Sequence, residues 1–488
     1  MEKHPADTRF KSSVSASTAP LEGLRVLFCY FIVAGHMVIC LAVALNSPEP
    51  AIVLINATDF LSVFSLNLVD FGFKNGVDIF LLISGFFMAR KFHRSFPYGN
   101  SSFVVRLKYA LHYLFFRWLR LVPLYFVVFM LYTAGSAPNC PKWNELFFVH
   151  DPSGDVTTMC LGQGWSTMVD YQIHIVIALM AVLFTDESVL CKTMLITIVA
   201  AAVSRVLSVL TTDYLVSEQF RDILVLHETL TDKLKMSLAE ALQVKLGAYE
   251  PSPEHVTTAR RLRQRASFTP PTATIMKVHS VMTGFLLHRE LQSAGRVYKA
   301  LQNHSNLSLV LAGFLVALSN MSRPSPNPDG SNYELVLSAL KEGIRTPSAL
   351  FAIGIIILLT CSPNKWQRTG LEHKQSLAPR ILQTVLGNPI MVMAAQLSYS
   401  IYLSHFLVLS TQVVVGPQVT DETFTLKVLG QKGLACFVFA ALLSVLLVVI
   451  EKVMLRGRTF LMKKSCSWFL LNQQHAPVDQ QSSSMKTD

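Results

Sequence analysis

An arginine and a histidine, Arg25 and His36, stand eleven residues apart inside an otherwise apolar run. In a helix that spacing is almost three full turns, so both side chains project from one face, about 16 Å apart. One stripe then offers a cation near one end and an imidazole deeper in. The plainer alternative is that Arg25 snorkels to lipid headgroups and His36 bonds a neighbouring helix. Asp78 lies in Asn75-Gly-Val-Asp78-Ile-Phe, where it could simply complement a helix dipole, and Ser84-Gly85 reads as a small-residue packing notch. Asp170 and His174 are four apart and share a face; with Gln172 they make the start of that helix polar enough to line a wet cavity. Tyr399, Tyr402 and His405 recur at three-residue spacing as one polar edge, or a packed aromatic one.

Two histidines and two acids on separate apolar segments point to acid–base chemistry or proton coupling, because imidazole titrates near working pH with little adjustment. A metal site from His, His and Asp is weakly signalled, since no compact His pair or Cys cluster exists, and none is expected. There is no Gly-x-Ser-x-Gly elbow and no phosphate loop, which argues against a serine hydrolase or a P-loop ATPase.

The segments that carry these residues are membrane helices by composition. Of 488 residues 51% are hydrophobic and only 15% charged, and the mean hydropathy is +0.41. That excludes a disordered chain, a collagen-like fibre and a conventional cytosolic enzyme. The expectation is an all-α polytopic membrane bundle of about ten transmembrane helices, at 24–45, 75–90, 119–135, 165–184, 190–210, 274–288, 306–320, 347–361, 390–413 and 434–454. Each run is read against a bilayer core of about 30 Å. The net charge of +11 fits cytosolic loops rich in Lys and Arg better than nucleic-acid binding, so no nucleic-acid partner is expected. Arg90, Lys91, His93 and Arg94, then Arg106, Lys108, Arg117 and Arg120, then Arg456, Arg458, Lys463 and Lys464 fall on one side if both termini are cytosolic. Arg260 to Arg265 fall on the other, in a long loop where the rule is weak.

The domain reading is a cytosolic segment 1–20, a transmembrane domain 21–455 and a basic, disordered cytosolic tail 456–488. The domain carries an external Cys loop at 136–164 and a long loop at 211–273, with a helix-like run around 217–247. Of 8 cysteines, Cys29, Cys40, Cys191, Cys361 and Cys436 sit in or beside apolar runs as small hydrophobes. Cys140 and Cys160 share the external loop, where a disulfide persists. Asn56 and Asn320 head external sequons, so a glycoprotein is expected. The chain is expected in the plasma membrane or the endoplasmic reticulum.

Several motifs, in order, resemble the membrane acyltransferase-3 family, in particular its nose-resistant-to-fluoxetine-like branch. Leu21-Glu-Gly-Leu-Arg25…His36 resembles the first-helix signature, Asn75-Gly-Val-Asp78-Ile-Phe80…Ser84-Gly-Phe86 the second, and Arg117-Trp-Leu-Arg120 an Arg-x-x-Arg motif. Cys140, Trp143, Cys160 and Trp165…Asp170…Gln172 resemble the branch's cysteine loop and fourth helix. Tyr399-Ser-Ile-Tyr402-Leu-Ser-His405 and Glu451 resemble the closing motifs. Departures exist: His174 stands where an aromatic is usual, Ala273 and Ser280 replace an Arg and a Gly, while Gly284 matches. The Cys-rich domain that often precedes the branch's membrane region has no counterpart.

The resemblance implies transfer of an acyl group, often acetyl, from cytosolic acyl-CoA as donor substrate to a hydroxyl on a sugar, lipid or small-molecule acceptor. Arg117 and Arg120 would hold CoA phosphates at the inner mouth, with Arg25 guiding the donor. His36 would be general base, with Asp78 or Asp170 orienting its ring and His405 positioning the acceptor or stabilising the oxyanion. An acyl-histidine relay fits the same residue types. The rivals are a proton-coupled carrier of lipophilic molecules and, from the departures, an inactive scaffold.

Overall fold

The computed structural model describes residues 18–44, 68–99, 101–136, 143–148, 161–212, 270–320, 332–361, 376–415 and 438–450. Among these the chain is helical, with no strand. The helices are α1 (Ala19–Ala44), α2 (Leu68–Ser95), α3 (Phe103–Ser136), α4 (Trp165–Leu183) and α5 (Glu187–Thr212). Then come α6 (Pro270–Ser293), α7 (Arg296–Asn303), α8 (Ser305–Ser319), α9 (Asn332–Thr360), α10 (Leu377–Leu386), α11 (Pro389–Ala395) and α12 (Ser398–Val415). The last is α13 (Val438–Ile450). Each apolar run expected to span contains helix among its described residues, and the run at 390–413 divides into α11 and α12.

Four of these helices are long and apolar enough to cross a membrane: α3, α4, α5 and the second part of α9. A fifth span results if α7 and α8, which meet at a 102° bend, are taken as one. The expected ten is therefore not reached by length and apolarity. The reason is chemical in α6, where Lys277, His279, Ser280 and His288 interrupt the apolar face. These residues are nevertheless within the protein: His279, Ser280 and His288 are buried. α3 has 34 residues, about 51 Å at 1.5 Å per residue, well beyond a hydrocarbon core.

Several helix ends meet at one end of the bundle. Arg90 of α2 donates to Thr18 at the start of α1 (3.2 Å), and Gly99 N–H donates to the Thr185 carbonyl (2.9 Å). The first joins the end of α2 to the start of α1, and the second joins the α2–α3 link to the α4–α5 link. His93 lies 4.0 Å from Glu187, and its ring is 6.1 Å from that of His288 near the end of α6. The expected basic cluster after the second apolar run therefore gathers at this end.

α2 and α6 pack backbone to backbone. A Cβ at Gly85 would strike the Val281 carbonyl, and one at Gly284 would strike the Leu82 carbonyl. The notch read at Ser84-Gly85 is a close helix contact, and Gly284 is its counterpart on α6. Small residues are the means by which membrane helices come this close. Around that contact Phe28, Phe71, Ile79, Leu82 and Phe86 bury against Ala349, Leu350 and Ile353 of α9. α1 and α12 run parallel: Cys29 Sγ donates to the Ser398 carbonyl (3.3 Å), and seven residues on, His36 meets His405.

The Cys loop is described in two pieces. A 3₁₀ turn, Trp143–Phe147, receives a bond from Trp118 Nε1 to the Leu146 carbonyl (3.2 Å), and Gln172 Nε2 donates to the Phe148 carbonyl (3.2 Å). Phe148 adopts φ 55°, a left-handed conformation that costs a non-glycine residue and that its burial between α3 and α4 compensates. Cys140, Cys160, Asn56, the stretch 217–247 and the tail 456–488 lie outside the described residues. Among the described cysteines, Cys29, Cys191 and Cys361 are free and buried, and no disulfide occurs.

Candidate functional site

The two mid-helix histidines face each other. His36 Nδ1 and His405 Nε2 are 3.1 Å apart, with ring centroids at 5.1 Å. His405 Nδ1 lies 2.5 Å from the Tyr402 carbonyl. A carbonyl can only accept, so His405 carries its hydrogen on Nδ1 and presents a bare Nε2. His36 must then donate from Nδ1, which leaves its basic lone pair on Nε2. A proton taken up at His36 Nε2 creates an imidazolium whose Nδ1–H already points at a second imidazole. His405 thus fixes the tautomer of His36 as an uncharged acceptor; it brings the orienting role of a triad carboxylate without its negative charge.

Tyr402 fixes this arrangement. Its hydroxyl donates to the Gln163 carbonyl (3.1 Å) and meets Ser166 Oγ at 2.5 Å, while Gln163 Nε2 donates to the Leu403 carbonyl (2.8 Å). The short turn Gly162–Gly164 and the start of α4 therefore clamp α12 one turn before the pair. Tyr399 OH donates to the Leu121 carbonyl (3.3 Å), and the Tyr402 ring also lies 6.1 Å from Phe80 and 5.8 Å from His405, so the edge is both polar and aromatic. From Thr18, at the end where Arg90 binds, His36 is 18 residues along α1, roughly 27 Å.

The acids expected to orient His36 are engaged elsewhere. Asp78 is buried and accepts from Lys277 Nζ (2.5 Å) and Ser280 Oγ (2.8 Å), tying α2 to α6. Ser280, a departure from the family pattern, thus serves the Asp78 carboxylate. Asp170 takes a guanidinium bond from Arg117, and the same Arg117 Nη2 donates to Ser84 Oγ (2.6 Å). His174, fully buried, has Nδ1 at 2.7 Å from the Asp170 carbonyl and Nε2 at 3.4 Å from Ser84 Oγ. The polar face of α4 therefore meets protein groups of α2 and α3, where a wet cavity was expected.

The arginines also have partners within the protein. Arg117 lies 14 residues into α3, about 21 Å along it, with its side chain 19% exposed and its charge matched by Asp170. Arg25 pairs with Glu22 (2.7 Å), one turn before it on α1. Arg120 is exposed on α3. The expected stripe joining Arg25 to His36 exists as a helix face, but Arg25 serves Glu22.

Sequence reading passed over Lys277, Gln163, Ser166 and the buried Glu145. A lysine inside an apolar helix is itself a signal of a buried partner, and Asp78 supplies it. Glu145 accepts from Tyr125 OH and Leu161 N–H, both at 3.4 Å, a role no local pattern announces. Among the described residues no group of three His, Cys, Asp or Glu converges to hold a metal ion. No family model, no curated protein and no solved structure matches this chain.

Proposed function

We propose that this chain is a multi-pass membrane O-acyltransferase that moves an acyl group from cytosolic acyl-CoA to a hydroxyl acceptor, a sugar, lipid or small molecule, with His36 as general base. The observation that supports this reading is the His36–His405 pair. An imidazole whose second nitrogen is held by another imidazole has a fixed tautomer and a basic nitrogen of fixed direction. In the reaction the acceptor oxygen attacks the thioester carbonyl as His36 Nε2 takes the hydroxyl proton. The carbon–sulfur bond then breaks, and the proton returns to the departing sulfur, giving ester and free thiol. The ordered motifs read in the sequence point the same way, and the proposed topology is about ten spans with both termini in the cytosol.

The test is labelled acyl-CoA added to membranes containing the protein, followed by identification of what becomes labelled. His36→Ala should abolish transfer while leaving expression and CoA binding within about twofold; retained turnover would reject the assignment.

A second reading, a proton-coupled carrier, draws on the two ion pairs at membrane depth, Lys277–Asp78 and Arg117–Asp170. Ionisable pairs there mark proton routes as readily as structural ties. Uptake of a lipophilic solute with no covalent product in the same membranes would favour it.

A further inference from the structure

Asp170 occupies Arg117, one of the two arginines expected for the donor's phosphates. A different set of cations lies at the end of the bundle where α1 begins and α2 and α6 finish. Arg90, His93 and Arg94 occupy the last turns of α2, and His288 faces them from α6. The charges acting on His288 come from His93, Arg90 and Arg94, all basic. His288 is only 2% exposed, its ring stands edge-on to Phe86 at 4.9 Å, and its Nε2 is buried with no hydrogen-bond partner.

The helix dipole explains why basic residues end α2. It does not explain why a second helix brings a buried imidazole among them. Like charges at Arg90 and Arg94, four apart on one helix, repel by a few tenths of a kcal/mol. An anion between them turns that cost into a gain, with guanidinium N–H groups and an imidazole N–H as donors. Arg90 already holds a hydroxyl, Thr18 Oγ1, which fixes the direction of its guanidinium, and His93 has Glu187 on its far side at 4.0 Å.

We propose that Arg90, Arg94 and His288, with His93 at the rim, form a phosphate-binding site between the ends of α2 and α6. The ligand is a phosphate ester, carried either by the acyl donor or by a phospholipid headgroup of the adjoining leaflet. As a site for the donor it rests on the acyltransferase reading; as a headgroup site it does not.

The experiment uses the full chain in nanodiscs of neutral phosphatidylcholine. Binding of coenzyme A and of inorganic phosphate is measured, then repeated with phosphatidic acid included in the disc. Arg90→Gln with Arg94→Gln should weaken phosphate-ester binding about tenfold or more, and His288→Phe, which keeps the ring against Phe86, about threefold to tenfold. Arg296→Gln, on the exposed face of α7, should change neither. Coenzyme A binding lost in the variants identifies the donor as the source, whereas phosphatidic acid retention lost with coenzyme A binding unchanged identifies the headgroup. Variants that stay monodisperse and bind coenzyme A, phosphate and phosphatidic acid as the parent does overturn the site. Acyl transfer by the parent, assayed separately, distinguishes the two failures: transfer that persists with no phosphate-ester site sinks this inference alone. Phosphate-ester binding without transfer sinks the acyltransferase reading alone.

Discussion

A histidine in an apolar helix is ambiguous until its second nitrogen is accounted for. In this protein the Tyr402 carbonyl dictates the tautomer of His405, and His405 in turn dictates that of His36. Two rings on separate helices thereby act as one group. His405→Phe keeps the ring volume and removes the acceptor, so kcat for acyl transfer should fall about 10²- to 10³-fold with donor KM little changed. A loss confined to KM would show that the ring positions substrate instead. Asp78 carries the opposite kind of prediction. Asp78→Asn strips the charge that balances Lys277 inside the bundle and should destabilise the protein by roughly 3–5 kcal/mol, read as a lower Tm in detergent. Asp78→Asn with Lys277→Met should recover most of that loss, because no unpaired charge remains. Sequence exposed both histidines and Asp78, since polar residues stand out in apolar runs. It misassigned their partners because side chains 369 residues apart leave no local pattern.

At the scale of helices, the contact between α2 and α6 is one that glycine alone permits. Gly284→Val places methyl groups where the Leu82 backbone stands, so the helices must separate. The expected cost is about 1–3 kcal/mol or failure to accumulate, checked by Tm and by yield of monodisperse protein. Gly313, whose Cβ would meet nothing within 4 Å, should accept Ala without penalty. Apolar periodicity was sufficient to find every helix carrying the site, because hydrophobic runs between turn residues are local information. The division of 390–413 into α11 and α12 was not, although Ser398 at the start of α12 bonds back to the Ala395 carbonyl. Nor did the pattern announce the 102° turn between α7 and α8, where Arg296 and Lys299 stay exposed while Tyr298 and Gln302 bury.

For the whole molecule, the bonds joining Arg90 to Thr18 and Gly99 to Thr185 gather the start of α1 and the α2–α3 and α4–α5 links at one end. The Trp143–Phe147 turn meets α3 at Trp118, and the Gly162–Gly164 turn sits at the opposite end of α4. If that opposite end is extracytosolic, an impermeant alkylating reagent added to intact cells should label Cys140 and Cys160 only after reduction. Labelling without reduction would argue against a bridge, and labelling only in permeabilised cells would reverse the orientation. Charge distribution suggested those sides, but the basic run at 260–265 spoke against them, and it falls outside the described residues.

The parallel register of α1 and α12 also has a bearing on biogenesis. One imidazole leaves the ribosome within the first tenth of the chain and the other only after four-fifths of it. Until α12 is inserted, His36 lacks the His405 ring, so on the acyltransferase reading a stalled or truncated chain carries an incomplete base. On that reading the complete base forms only when almost the whole bundle is in place.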